Sequence, residues 1–252
     1  MIRRGLLAEP LRSACIARSV VDDEAERAAG LGRHHLTNLH DLIPRSPTWL
    51  ELACHPVAVG MAASALGWNI ALHHTQLVVA PPAPAGAGRG GYGWHQDNNR
   101  MNVDIDAPAP HPMISLKLGW FLSDATEDSM ANLCVVPGSQ VRARPSVPNG
   151  GQPDGAIELY GSIGDVVMFD RRIWHAASVN GSETVRRMAF MGYSHRWLRP
   201  KSAIDPSLAP EGDPVVAQLL GASPSGANGR YEPSEADVPL RALLLEAGLD
   251  VP

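Results

Sequence analysis

The order of apolar and polar positions changes character once along the 252 residues. Over 1–69 the texture is helical. Asp22 to Ala29 is charged and Ala-rich, and after Pro47 the stretch from Thr48 to Leu66 carries apolar residues at helical spacing until Gly67 stops it. From Ile70 the apolar runs become short and either alternate with polar residues or stay apolar throughout, at 72–79, 113–122, 132–139, 165–170 and 186–194. Such runs predict strands. Pro/Gly-rich connectors at 81–93, 106–112 and 144–155 separate them, and neither a helix nor a central strand continues through such sequence. Ser234 to Ala247 closes the chain as a predicted helix, with Ser234 and Asp237 spaced for a capping box. There is no internal repeat. The expected fold is mainly β with flanking helices, a double-stranded β-helix or jelly roll of cupin-like type. One domain is expected over 1–252, with helical support over 1–69, a β-helix core over 70–199 and a helical extension over 200–252.

Composition narrows the partners. A chain of this length with 44% hydrophobic residues buries a sizeable core without disulfides. Its formal charge of −5 comes with no run of Lys or Arg, which argues against nucleic acid and anionic membranes and for a small-molecule partner. A monomer or homodimer is expected. Cys15, Cys54 and Cys134 lack metal-type or redox-type spacing and read as small buried hydrophobes, in keeping with a reducing cytoplasm. The opening residues have no apolar segment of signal-peptide length, and no later stretch approaches 18 apolar residues.

Candidate chemistry concentrates in WHQD at 94–97. Alternate residues of a strand share a side, so His95 and Asp97 converge while Trp94 and Gln96 face away. Two imidazoles and one carboxylate on a triangular face, with open positions opposite, form the facial triad of non-haem iron(II) oxygenases, so a distal histidine is needed. His175 fits best among ten histidines. It follows the apolar run DVVMFD, where an unsatisfied imidazole would be costly and a metal would satisfy it. His73 and His74 are adjacent and would point to opposite sheet faces, His111 lies between prolines in a connector, and His195 sits beside Arg196; for these four a surface or hydrogen-bonded core role is favoured. His34, His35, His40 and His55 lie in the helical front and are weaker still.

WHQD, NLCVVPGSQ, GDVVMFDRRIWHAAS and VNGSETVRRMAF stand in the order and approximate spacing of the phytanoyl-CoA dioxygenase-like family, which the chain resembles over about 70–199. The resemblance implies an iron(II)- and 2-oxoglutarate-dependent oxygenase on a double-stranded β-helix. It places His95, Asp97 and His175 as metal ligands and Arg186, 11 residues after His175, at the cosubstrate. The Pro-Gly-Ser turn at 137–139, Asn132 and the Gly-Asp pair at 164–165 also match, as scaffold. Two features depart from the pattern. Ala80 stands where many relatives carry a lysine before the Pro-Pro, and the usual helix-to-strand start with a Gly-Tyr pair is not visible before residue 36.

The implied cofactors are Fe(II), 2-oxoglutarate and O2, with succinate and CO2 released. A guanidinium suits the far carboxylate of 2-oxoglutarate because it makes paired charge-assisted hydrogen bonds, which is the role expected of Arg186, with Gln76 as a second contact. Hydroxylation is the default reaction; epimerisation, desaturation and cyclisation stay open. Halogenation is disfavoured, because Asp97 fills the place chloride needs. For a compact secondary metabolite as substrate, Gln96, Asn98, Arg100, Lys117 and Trp174 are candidate contacts, and the connectors at 81–93, 98–112 and 140–156 would carry specificity. Two other classes are weighed against this: a zinc hydrolase, which leaves Arg186 unexplained, and a non-catalytic small-molecule-binding protein on the same scaffold, whose mark would be a lost ligand.

Overall fold

In the computed structural model, which describes residues 1–84, 86, 93–97, 111–142, 145–147 and 151–251, the expected change of texture at Ile70 is the start of the longest strand. Before it lie β1 (Ile2–Arg3), α1 (Leu11–Ala28), β2 (Thr37–His40), α2 (Pro47–Ala53) and α3 (Pro56–Leu66). After it come β3 (Ile70–Ala80), β4 (Ser115–Phe121), β5 (Leu133–Val135), β6 (Ile157–Leu159), β7 (Val166–Asp170), β8 (His175–Ala177) and β9 (Arg186–His195), then the helices α4 (Pro214–Leu219) and α5 (Pro239–Glu246).

Local chemistry accounts for the boundaries. In α1, Arg18 pairs with Asp22 and Arg27 with Asp23, one helical turn apart. Ser46 caps α2 by accepting the Thr48 N–H, and Pro47 occupies the first helical position. The single helix expected from Thr48 to Leu66 is two helices, because Pro56 lacks an N–H and holds His55 outside the helical region. Gly67 ends α3 at φ 84°. Near the end of the chain the capping box of Ser234 and Asp237 opens a short 3-10 turn, and Pro239 restarts the chain as α5. The front is not wholly helical. Thr37 and Leu39 are buried while Asn38 is exposed, the alternation of a strand, and the two residues of β1 are fixed by pairing with β7, Ile2 opposite Val167.

The strands form a jelly roll of two sheets. A six-stranded sheet has the order β1-β7-β4-β9-β3-β2, and a three-stranded sheet has the order β6-β5-β8; β1 with β7 and both pairings of the smaller sheet are antiparallel. The chain divides into two compact units, of which Met1–Asn38, Leu77–Met113 and Gly119–Ala189 form the first and Leu39–Gln76, Ile114–Leu118 and Phe190–Pro252 the second. The three-stranded sheet belongs to the first unit, while β2, β3, β4 and β9 are divided between the two.

The first unit buries Leu7, Leu77, Val79, Phe121, Leu133, Val166 and Met188. Gly161 permits a close approach there, since a Cβ would come within 2.6 Å of the Phe121 ring. The second unit buries Trp49, Leu52, Leu72, Leu116, Leu118 and Tyr193, and each side chain of this size contributes about 1.5–3 kcal/mol. Tyr193 donates to the Ala53 carbonyl, and Gln218 is stitched to the carbonyls of Trp68 and Ile70 and to the N–H of Leu240. Among the described residues no single helix is long and apolar enough to cross a membrane; the bent pair α2 and α3 is apolar enough together, and its Trp49, Leu52, Val59, Met61 and Leu66 lie in the core while Val57 is exposed.

Candidate metal centre

His175 opens a strand of its own instead of ending the apolar run before it. β7 stops at Asp170, whose side chain accepts the Arg172 N–H at 2.9 Å and whose carbonyl accepts the Ile173 N–H at 3.0 Å. This Asx-type turn carries the chain out of the six-stranded sheet and into the three-stranded one, where His175 lies opposite Val135. On its other side His175 faces His95, and the two exchange backbone hydrogen bonds of 2.9 Å each. The Asp97 N–H donates to the Arg171 carbonyl, also at 2.9 Å. Residues 95–97 therefore lie antiparallel to 171–175 through an isolated bridge in place of the expected strand. That pairing suffices to turn His95 and Asp97 to one side.

The three side chains converge, with one ligand atom from each lying within 4.8 Å of the others. His175 Nε2 is 3.8 Å from Asp97 Oδ2, and the two imidazole centroids are 4.3 Å apart. Asp97 and His175 are buried, whereas His95 is exposed. The imidazoles are held in the same manner. His95 Nδ1 lies 2.8 Å from the Gly93 carbonyl and His175 Nδ1 lies 2.9 Å from the Ile173 carbonyl, in each case two residues upstream. A carbonyl only accepts, so each Nδ1 carries the proton and each Nε2 keeps its lone pair for a cation. Two Nε2 atoms and a carboxylate suit a divalent transition metal.

Arg186, the first residue of β9, is 3% exposed. Its Nη2 touches Met188 Sδ at 2.6 Å, its Nε has no hydrogen-bond partner, and among the described residues no carboxylate pairs with it. Burial pulls its guanidinium down to about 10. A buried cation in this condition lacks an anion. The next residue behaves differently, as Arg187 pairs with Asp23 at 3.5 Å.

Other candidate residues have structural partners. The Gln96 amide donates to the Arg172 carbonyl. Trp174 is buried; its N–H donates to Ser139 Oγ at 2.8 Å and its carbonyl accepts from Val136, so the Pro-Gly-Ser turn braces the residue before His175. Asn132 bonds to Met130, Ala125 and Ser178, and Asp165 accepts from Gly5 and Ser162. Asn98 and Arg100 lie outside the described residues. Gln76 and Lys117 belong to the second unit, where Gln76 Oε1 lies 3.3 Å from His74 Nε2 and Lys117 Nζ lies over the Phe190 ring at 5.8 Å. Sequence reasoning missed Arg171, which is 1% exposed. Burial lowers its guanidinium pKa, opposed by the charges of Asp170 and Asp97. A doubled arginine directly after an apolar strand was the available signal.

A family model described as phytanoyl-CoA dioxygenase (PhyH) matches residues 9–188. Among solved structures, the non-heme alpha-ketoglutarate-dependent epimerase SnoN from nogalamycin biosynthesis superposes with a TM-score of 0.58 at 16% identity, covering 78% of each chain. HygX from Streptomyces hygroscopicus, with nickel and 2-oxoglutarate bound, gives 0.60 at 15% identity over 81% of this chain and 84% of its own. HygX with hygromycin B also bound gives 0.56 at 15% identity, over 81% and 85%. No curated protein matches the chain in sequence.

Proposed function

The chain belongs to the phytanoyl-CoA dioxygenase (PhyH) family and is a 2-oxoglutarate-dependent non-haem iron enzyme, and from that premise we propose that His95, Asp97 and His175 hold the iron and Arg186 holds the far carboxylate of 2-oxoglutarate. One observation carries this reading: two imidazoles with Nδ1 tied to backbone carbonyls present Nε2 beside a carboxylate, in the same unit as a buried arginine that has no anion among the described residues.

Iron with 2-oxoglutarate and dioxygen supplies oxidation of an unreactive C–H bond, with release of succinate and CO2. The chain's own work is orientation. The Gly93 and Ile173 carbonyls fix the tautomer and ring plane of both histidines. The backbone bonds from His95 to His175 and from Asp97 to Arg171 hold the three ligands in register. Phe169, with its ring 5.2 Å from that of His175, gives the centre an apolar neighbour that keeps water from one side. Arg186, shielded from solvent, makes stronger charge-assisted bonds than an exposed arginine would.

Oxidation of a small molecule of secondary-metabolite type is the reaction proposed, with hydroxylation as the default outcome and epimerisation, desaturation or cyclisation as the others that the same chemistry serves. Support comes from the fold neighbours, one from nogalamycin biosynthesis and one with hygromycin B bound. A zinc hydrolase gives Arg186 no task. Succinate release, measured over a panel of small metabolites with product masses read for a gain of one oxygen or a loss of two hydrogens, tests the proposal. Release that depends on both iron and 2-oxoglutarate supports it, whereas hydrolysis of any panel member with zinc in place of iron would reject it.

A further inference from the structure

Three consecutive peptide units join β7 to β8, and each is held at both ends. Their carbonyls serve the metal centre: that of Arg171 accepts the Asp97 N–H at 2.9 Å, that of Arg172 accepts the Gln96 side-chain amide, and that of Ile173 lies 2.9 Å from His175 Nδ1. A trans peptide is planar, so its N–H points opposite to its carbonyl. The three N–H groups are held in turn. That of Arg172 donates to Asp170 Oδ1 at 2.9 Å, that of Ile173 to the Asp170 carbonyl at 3.0 Å, and that of Trp174 to Ser139 Oγ at 2.8 Å.

Two side chains therefore stand one peptide unit behind two of the proposed ligands, all within the first unit. The Asp170 carboxylate grips the N–H of the peptide whose carbonyl holds Asp97, and the Ser139 hydroxyl grips the N–H of the peptide whose carbonyl holds the His175 ring. Both grips are firm. Asp170 is pinned by the Arg172 guanidinium, with Nη2 at 2.5 Å from Oδ2 and Nε at 3.0 Å from Oδ1, and Ser139 is buried, with its own N–H donating to the Val136 carbonyl. A negative acceptor polarises the peptide it binds and so strengthens the carbonyl at the other end. Trp174 is buried as well, so a Trp174 N–H that lost Ser139 would be left unpaired or would rotate, taking the Ile173 carbonyl away from His175.

We propose that Asp170 and Ser139 are positioning residues of the metal centre, Asp170 for Asp97 and Ser139 for His175, each acting through a single peptide unit. The inference rests on the reading of His95, Asp97 and His175 as ligands. By sequence the Pro-Gly-Ser turn counts as scaffold; these hydrogen bonds give its serine a second task.

The test is an oxygen-free competition titration of iron(II) against a chelator, with ring-nitrogen NMR of the metal-free protein beside it. Loss of a group that orients a ligand typically weakens metal binding about 10–100-fold, which is the loss expected of Asp170→Ala and of Ser139→Ala. Asp170→Asn keeps an oxygen for the Arg172 N–H without the charge, and should recover part of that loss. Gly161→Ala, strained at Phe121 and remote from these hydrogen bonds, should bind iron as the unaltered protein does. In Ser139→Ala the His175 ring nitrogens should shift toward the average of the two tautomers, while those of His95, held by the Gly93 carbonyl, stay in place. Affinity within about threefold of the unaltered protein in both alanine variants, an equal loss in Gly161→Ala, or an unmoved His175 ring in Ser139→Ala would overturn the proposal. Should Asp170→Ala not fold, Ser139→Ala decides by the same two readouts. His175→Ala measured alongside separates the two readings: full affinity there overturns the ligand assignment and this inference with it, whereas loss there with full affinity in both alanine variants overturns this inference alone.

Discussion

The histidines of the metal centre and those of the second unit are alike in sequence and opposite in preparation. His95 and His175 each have Nδ1 fixed by a carbonyl two residues upstream, and His175 keeps this geometry though buried. His74 is buried more deeply, yet among the described residues its Nδ1 has no hydrogen-bond partner, and the charges that act on it are those of Lys117 and Lys201. Burial alone therefore does not make a histidine a ligand. What distinguishes the two regions is the backbone, which commits one nitrogen and leaves the other for a cation, and the charge nearby, carboxylate in one case and ammonium in the other.

The largest contrast lies in metal content. His175→Ala should lose most of its bound iron while staying folded, whereas His74→Ala should keep it, as read by iron analysis of protein purified and loaded without oxygen. Equal occupancy in both variants would erase the distinction.

Next in size is the pair of adjacent arginines. Losing a buried charge-assisted pair costs about 2–5 kcal/mol, so Arg186→Ala should weaken 2-oxoglutarate binding by roughly tens to thousands of times. Arg187→Ala should change it little, because Arg187 is committed to Asp23. A calorimetric titration of the iron-loaded protein reads both; the reverse order would mean that β9 presents the wrong residue to the cosubstrate.

Scaffold effects come third. In Gly161→Ala the added methyl meets the Phe121 ring at 2.6 Å, so overpacking should destabilise the fold by about 1–3 kcal/mol, seen as a lower urea midpoint. An unchanged midpoint would show that the ring can retreat freely.

The smallest effect is a pH slope. Burial, then Lys117 and Lys201, pull His74 down to about 3 from an ordinary 6.5, with the Gln76 hydrogen bond opposing. The unfolded chain then binds the extra proton in this range and the folded one does not, so stability contributed by neutral His74 is full above about pH 6.5 and falls as pH drops toward 3. His74→Gln should flatten that part of the stability curve. A slope as steep in the variant would assign it to other groups.

Much of the metal centre was legible because its signals are local. His-X-Asp needs only strand-like pairing to converge, and that pairing exists although residues 95–97 form no regular strand. The jelly roll was legible from runs such as 72–79 and 186–194, which fall within β3 and β9. What sequence did not show depends on distant partners. β1 is a strand only because β7 lies beside it, and the Asx turn that separates β7 from His175 turns on the conformation of Asp170. Gln96 resembles a pocket residue in sequence but spends its amide on the Arg172 carbonyl. His74 gave no sign of its surroundings, since Lys117 and His40 reach it only across the sheet.

The decisive measurement is an anaerobic titration of the protein with iron(II) and 2-oxoglutarate together, following the visible metal-to-ligand absorption. One equivalent of each should give the band in the unaltered protein, and His95→Ala, Asp97→Ala and His175→Ala should each lose most of it under the same conditions. A full band in any one of these three variants would show that the metal is held by other residues.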